Sequence, residues 1–415
     1  MGNHPGYNRI KLPGSKGWLG LELALCLLLA VWTFPVRVES PASAAAGEAD
    51  RAVSSREAAA AQPAASPNKA LRLGYVEGEA YHEFDEALYY LLLGMEEYGL
   101  VPSFVGEPPA GVSSRELWTW LGKQDQSGWR VQFVEEGFFA LDAPPFAQWG
   151  EEEAEEALGK ELADKGIELV LTMGTTAGLA VRQLDIPVPM MNFCSADPVK
   201  SGIVGAAGAS GIPNVWAQTD PDAFSRSIRV MDDILGPKKA GVVYADNQEA
   251  YIYSGVDVLD RLADELGYAV VREYVEDPAS GAPENMQLYY EQLTRAYGKL
   301  AQEVDVFILT TSLINLEDMA QLLQPFYDHQ VPVYSINAAE DVRYGALLGA
   351  QSTDYKNVGR FGADMLGRYL AGEKLEQLPQ MYQTAPYLVI NYGVAQKIGY
   401  RPSFAMLLSA DRIYP

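Results

Sequence analysis

The chain is 415 residues long, with 48% hydrophobic and 21% charged residues, which is enough to bury the cores of two domains. Its net charge of −24 excludes a nucleic-acid partner, because neutralising a phosphate backbone needs clustered Lys and Arg, and no such cluster occurs. The composition is that of a globular protein whose acidity serves solubility.

Residues 1–46 differ in kind. Arg9, Lys11 and Lys16 precede an apolar run from Trp18 to Phe34, and Ala42, Ser43 and Ala44 follow, the pattern of a secretory signal cut near Ala44. Glu22 interrupts the run, so an uncleaved membrane anchor is the competing reading. Cys26 follows Leu25 inside the run, which argues against a lipidated cysteine. The exported chain keeps one cysteine, Cys194, so no intrachain disulfide forms and the fold relies on its core. Residues 47–69, rich in Ala, Ser, Glu and Pro without apolar periodicity, read as a flexible linker.

From Leu71 the pattern is regular. LRLGYVEG predicts a strand and Phe84 to Tyr98 a helix, joined by a loop that holds Glu79, Tyr81 and His82 at the strand's carboxyl end. Residues 106–129 predict an inserted helix capped by Ser113 or Ser114 and carrying Trp118 and Trp120. WRVQFVEEGFF predicts a second strand, and the Glu-rich stretch after Gly150 a helix with a solvated acidic face. Ile167 to Ala180 is the centre of the pattern: an unbroken apolar strand ends in Gly174, and Thr175 or Thr176 caps the next helix. A first-turn N–H group and the positive dipole end of that helix suit an anion. PVPMMN then predicts a strand ending in Phe193, Cys194, Ser195 and Asp197, with Cys194 read as a buried, inert thiol.

After the glycine-rich residues 201–215, of which Gly205 to Gly211 are expected as a crossing between the halves, the rhythm restarts near Trp216 as a second domain. A helix over 221–236 leads to the strand AGVVYADN, a helix from Tyr253 to Leu266, and the strands AVVREYVE, DVFILTTS and VPVYSIN. Their carboxyl ends display Asp246, Asn247 and Glu249, then Thr310 and Thr311, then Asn337 and Glu340. ALLGAQS predicts a further strand ending in Gln351, followed by a helix from Tyr355 to Leu370. Two halves with polar loops at equivalent strand ends point to a ligand cleft between them.

Three stretches, VLTMGTTAGLA at 170–180, SADPVKSGIV at 195–204 and GALLGAQSTDYKNVGRFGADMLGRYLAGEKLEQLPQ at 345–380, followed by LVINYGVAQKIGY, resemble the periplasmic ABC-transporter substrate-binding proteins that include tryptophan- and tyrosine-type binders. The resemblance implies a type I periplasmic-binding fold: two doubly wound parallel-sheet α/β lobes joined by a three-segment hinge. It divides the chain into 70–212 with 346–378, and 213–345 with 379–415. Carried over, the ligand contacts fall on the loop that holds Glu79 and Tyr81, on Thr175 and Thr176, on Ser195 and Asp197, and in the other lobe on Asp246, Asn247, Thr311, Asn337 and Glu340; Gln351, on the third lobe crossing, is expected at the hinge edge of the cleft. YADNQEA departs from the family's usual Asn-Pro turn, and the helix inserted in 106–129 has no counterpart in most relatives.

The function implied is capture of a small solute, an amino acid or related carboxylate, by a monomeric periplasmic protein that hands it to an ABC permease in the inner membrane. A solute-sensing module of a membrane signalling system is the alternative. No Gly-x-Ser-x-Gly elbow, His-Glu-x-x-His helix or paired cysteines occur, so neither catalysis, a metal nor a cofactor is expected.

Overall fold

The unbroken apolar runs become strands because helices cover them on both faces, as parallel strands require. A computed structural model describes residues 69–103, 107–184, 188–276, 283–310, 315–336, 339–351 and 354–415. The signal-like segment and nearly all of the linker lie outside these residues.

Strands β1 (Leu71–Glu77), β2 (Val131–Ala140), β3 (Leu169–Met173), β4 (Met190–Phe193) and β5 (Val215–Ala217) form a parallel sheet in the order β2-β1-β3-β4-β5. Helices α1 (His82–Glu97), α2 (Ser114–Gly122), α3 (Glu151–Asp164) and α4 (Gly174–Gln183) belong to this half. The inserted α2 is built in by Trp118, which is fully buried and donates its indole N–H to the Val134 carbonyl at 2.8 Å. Its capping box pairs Ser113 with Glu116, as the sequence suggests.

The second sheet has seven strands in the order β12-β11-β10-β9-β8-β6-β7. Its members are β6 (Lys239–Ala245), β7 (Ala269–Val275), β8 (Val306–Leu309), β9 (Val333–Ser335), β10 (Leu348–Gln351), β11 (Tyr387–Asn391) and β12 (Arg412–Tyr414). Its helices are α5 (Ala223–Leu235), α6 (Gln248–Tyr253), α7 (Val256–Leu266), α8 (Pro283–Leu300), α9 (Leu316–Leu322), α10 (Gln324–Asp328) and α11 (Ala339–Tyr344). Helix α12 (Tyr355–Leu370) returns to the first half, and α13 (Tyr392–Lys397) and α14 (Phe404–Ser409) complete the chain. Helix α12 lies against α1 through glycine: a Cβ on Gly359 would meet the Tyr90 backbone at 2.4 Å, so no larger residue fits there.

Four details differ from the sequence reading. Val215–Ala217 pairs with β4, and Leu348–Gln351 pairs with β9 and β11, so the sheet memberships fall past the expected divisions at 213 and 346. Strand β11 runs antiparallel to β10, which makes the second sheet mixed. The helix expected from Tyr253 breaks at Gly255, whose φ of 66° ends α6 and opens α7. Gly205 to Gly211, expected as the crossing, instead form a loop folded onto it.

The segments that pass between the sheets are 218–222 and 380–384, which run side by side. Thr219 and Met381 form a parallel bridge, Thr219 N–H donates to the Gln380 carbonyl at 2.9 Å, and Tyr382 N–H donates to the Thr219 carbonyl at 3.0 Å. The completely buried Gln380 side chain binds them to the first half: its Oε1 accepts from Ala217 N–H and its Nε2 donates to the Ala206 carbonyl, each at 3.0 Å. In chain order β10 of the second sheet is followed by α12, which packs in the first half, so the chain changes halves a third time.

Replacing Gln380 by Leu strands a buried donor and a buried acceptor, and should cost about 2 kcal/mol in urea unfolding. An unchanged unfolding midpoint would show that this amide does not hold the crossing.

Candidate functional site

The carboxyl ends of β1, β3 and β4 converge on one end of the first sheet, where α1 and α4 begin. Gly174 turns β3 directly into α4: its φ is 82°, and a Cβ there would meet the Phe84 ring at 2.7 Å. Because the helix starts at the glycine itself, Thr175 and Thr176 sit in its first turn, and no side chain caps it. The expected threonine cap is therefore absent, and the half-buried Thr175 and exposed Thr176 hydroxyls stand beside uncapped N–H groups. Beneath them the buried Asn192 amide donates to Thr172 Oγ1 at 3.0 Å and to the Gly174 carbonyl at 2.9 Å. Ser195 completes that chain by donating to Asn192 Oδ1 at 2.6 Å.

Beside this turn carboxyl and aromatic groups gather. Tyr81 precedes α1 and meets His82 and Phe84 edge-on, with ring centroids 4.6 and 5.4 Å apart. Glu83, in the first turn of α1, is enclosed yet keeps part of its surface accessible, and it hydrogen-bonds Tyr355 at the start of α12. Burial, reinforced by the charges of Asp341 and Glu86 and opposed by the Tyr355 bond, pushes the Glu83 carboxyl up to about 8. Asp341 comes from α11 in the other half, is buried, and accepts from Ser335 Oγ at 2.6 Å. Burial first, and the neighbouring acids second, hold the Tyr81 and Tyr355 phenols well above their ordinary range. Cys194 adjoins them with a φ of 58°, and burial together with the Glu83 charge keeps its thiol protonated. Further along β1, burial raises Glu77 to about 7 despite the Tyr75 hydroxyl donating to it at 2.9 Å.

The other residues singled out in the sequence are distributed as follows. Glu79 is exposed in the loop that carries Tyr81. Asp197 spends Oδ1 on the N–H groups of Val199 and Lys200, at 3.2 and 3.0 Å, and its Oδ2 lies 3.3 Å from Lys200 Nζ. Asn247 caps α6 through Ala250 N–H at 2.8 Å, and Asp246 is exposed beside it. Glu340 pairs with Arg343 at 3.2 Å, and its charge also acts on His82, whose imidazolium is disfavoured chiefly by burial. Thr311 and Asn337 lie outside the described residues, as do the side chains of Glu249 and Gln351.

Glu83, Asp341 and Tyr355 were not singled out in the sequence, although two of them carry a legible signal. Glu83 stands one helical turn before the buried Ala87 and two before Leu91, and Tyr355 leads the buried series Val358, Gly359 and Gly362. A carboxyl on an apolar stripe marks a buried acid.

A family model described as ABC transporter substrate binding protein matches residues 148–413. No curated protein matches the chain. Among solved structures, the ABC domain from Streptococcus pneumoniae in complex with L-Trp aligns over 83% of this chain and 100% of its own, at 17% identity and a TM-score of 0.61. A conserved domain protein from Vibrio cholerae aligns over 83% and 100%, at 18% identity and 0.60. The ligand-free, open structure of a substrate binding protein with adhesive properties from Clostridium difficile aligns over 83% and 99%, at 15% identity and 0.58. These likenesses show the fold, an α/β architecture of the periplasmic binding protein type I kind.

The raised Glu83 carboxyl has a consequence for stability. Between its ordinary value of 4.5 and about 8 the folded chain holds a proton that the unfolded chain releases, so ligand-free stability falls as pH rises through that window. Glu83→Gln should remove this share of the slope, leaving the variant more stable than the parent at pH 8 by on the order of 2 kcal/mol and nearly equal at pH 4.5. Urea unfolding across that range checks it, and a difference independent of pH would contradict it.

Proposed function

The chain belongs to the ABC transporter substrate-binding protein family, and on that premise we propose that it captures an amino acid by closing two lobes around it and delivers it to an ABC permease. Members of this family are binding proteins and not enzymes, so the chemistry is recognition and release with no covalent step. The observation that carries the amino-acid reading is the group of acids and phenols in which the charge of Asp341, from α11, bears on Glu83 and Tyr81 of the first half, with Tyr355 beside Glu83. Two carboxyls facing across a cleft repel unless one is protonated or a cation lies between them. An ammonium group answers both acids, and tyrosine rings beside it add cation–π attraction.

The ligand's other end follows from the first turn of α4. Its uncapped N–H groups, the dipole and the hydroxyls of Thr175 and Thr176 suit a carboxylate. Amine and carboxylate together describe an amino acid, and the fold relative from Streptococcus pneumoniae holds L-Trp. Tyr81 lies where it would flank the side chain, with Glu79 at the rim. Asp246, Asn247, Thr311, Asn337, Glu340 and Gln351 would meet the ligand from the other lobe, and Ser195 would do so from the first. The protein acts as a monomer outside the cytoplasmic membrane, exported by its basic and apolar amino-terminal segment. Among the described residues no helix is long and apolar enough to cross a membrane.

A thermal-shift screen of amino acids, with matched amides and deaminated acids, tests this reading. An amino acid at a hundred times its dissociation constant should stabilise the protein by about 2.7 kcal/mol. Its amide should bind with a loss of roughly 1.5 to 3 kcal/mol, and so should the acid lacking the amine. Calorimetry at pH 7 in two buffers should also show proton release, because the ammonium drives Glu83 to ionise. A response confined to sugars or nucleosides would overturn the reading.

A further inference from the structure

Lys200 stands where the two halves meet. It follows β4 in the first half, and its Nζ lies 2.6 Å from Oδ2 of Asp257 in the first turn of α7, which belongs to the second half. The same nitrogen lies 3.3 Å from Oδ2 of Asp197, three residues away in its own loop. Asp197 is held rigidly for this contact, since its Oδ1 accepts the Val199 and Lys200 N–H groups and its carbonyl accepts from Ser201 N–H at 3.0 Å. One ammonium therefore has two carboxylate partners: one moves with it, and the other lies on the opposite half.

We propose that Lys200 is the moving contact of a charge latch across the cleft, resting on Asp197 when the lobes part and engaging Asp257 when they close. Each member has a distinct role. Asp197 offers the ammonium a carboxylate within its own loop, so the open state keeps an ion pair that competes with the one across the seam. Asp257 supplies the attraction that crosses the cleft, and its place in the first turn of α7 fixes its direction.

The seam also contains the force that reopens it. Among the described residues, Asp257 Oδ1 and the hydroxyl of Ser201, next in the chain to Lys200, are both buried without a protein hydrogen-bond partner. Their lost hydration opposes closure, and water returns to them when the lobes separate. The latch is accordingly close to balanced: the ion pair favours closure and the two unpaired oxygens favour opening, so a ligand's own contacts decide the outcome. The pair is part-exposed, with side-chain exposures of 39% for Lys200 and 22% for Asp257, so salt weakens it.

The latch rests on the lobe-closure reading, and its test needs no ligand. Small-angle scattering of the ligand-free protein at low salt should give the smallest radius of gyration for the parent. Lys200→Gln and Asp257→Asn should each enlarge it, with the closed-to-open ratio falling about three- to fivefold, and the double variant should add little to either. Asp197→Asn should leave the protein at least as closed as the parent, because the ammonium then has only Asp257. Sodium chloride at 1 M should enlarge the parent and leave Asp257→Asn unchanged. Circular dichroism verifies that each variant is folded. Scattering unaffected by Asp257→Asn, or additive effects of the two single changes, would overturn the latch while leaving amino-acid binding to be judged by its own screen.

Discussion

The architecture depends on a single buried amide. Gln380 joins the crossing segments to the first half by accepting from Ala217 and donating to Ala206, with its backbone carbonyl accepting from Thr219. Two chains running between sheets at this point would otherwise expose unpaired backbone groups in a dry junction, at a cost of about 1 to 3 kcal/mol each. Trp216, in β5 just before the first crossing, adds its indole N–H to the Pro379 carbonyl at 2.8 Å, just before the second, and so helps lock the same joint. Past this joint the two halves meet through Lys200 and Asp257 of α7, and the charge of Asp341 on α11 bears on Glu83, although Asp257 and Asp341 are distant in sequence from the first sheet's strands.

Buried acids carry a cost the fold must offset. Glu77, Glu83 and Asp341 are carboxyls withdrawn from water, and burial is the leading cause of the raised Glu77 and Glu83 values. Packing around them compensates: Phe84, Leu88, Leu91 and Met95 bury one face of α1 against the sheet and α12. Such a site is poised. Glu83, raised to about 8, is largely neutral at pH 7 and would ionise beside a cation, so ligand binding and proton release are linked quantities.

Much of the fold was legible from periodicity alone. Apolar runs such as Leu169 to Met173, completely buried here, announce a covered parallel strand, and helix α12 begins at Tyr355 and ends at Leu370 as its spacing predicts. Pairing was less legible, because the apolar run at Leu348 is compatible with either sheet, and only long-range hydrogen bonding assigns it. At the site, polar strand-end residues divide by use. Asn247 is spent on a helix cap, Asp197 on its own turn and Glu340 on Arg343, three local demands that adjoining sequence satisfies. Asp341 is likewise bonded locally, by Ser335, and the bearing of its charge on Glu83 emerges only from the folded chain, because the two residues are far apart in sequence.

The most direct measurement is a crystal structure of the protein with the amino acid that most raises its melting temperature. The account predicts the ligand's nitrogen within hydrogen-bond distance of Glu83 and Asp341, with its carboxylate against the first turn of α4. A ligand nitrogen turned away from both acids, or a bound solute lacking any amine, would contradict it.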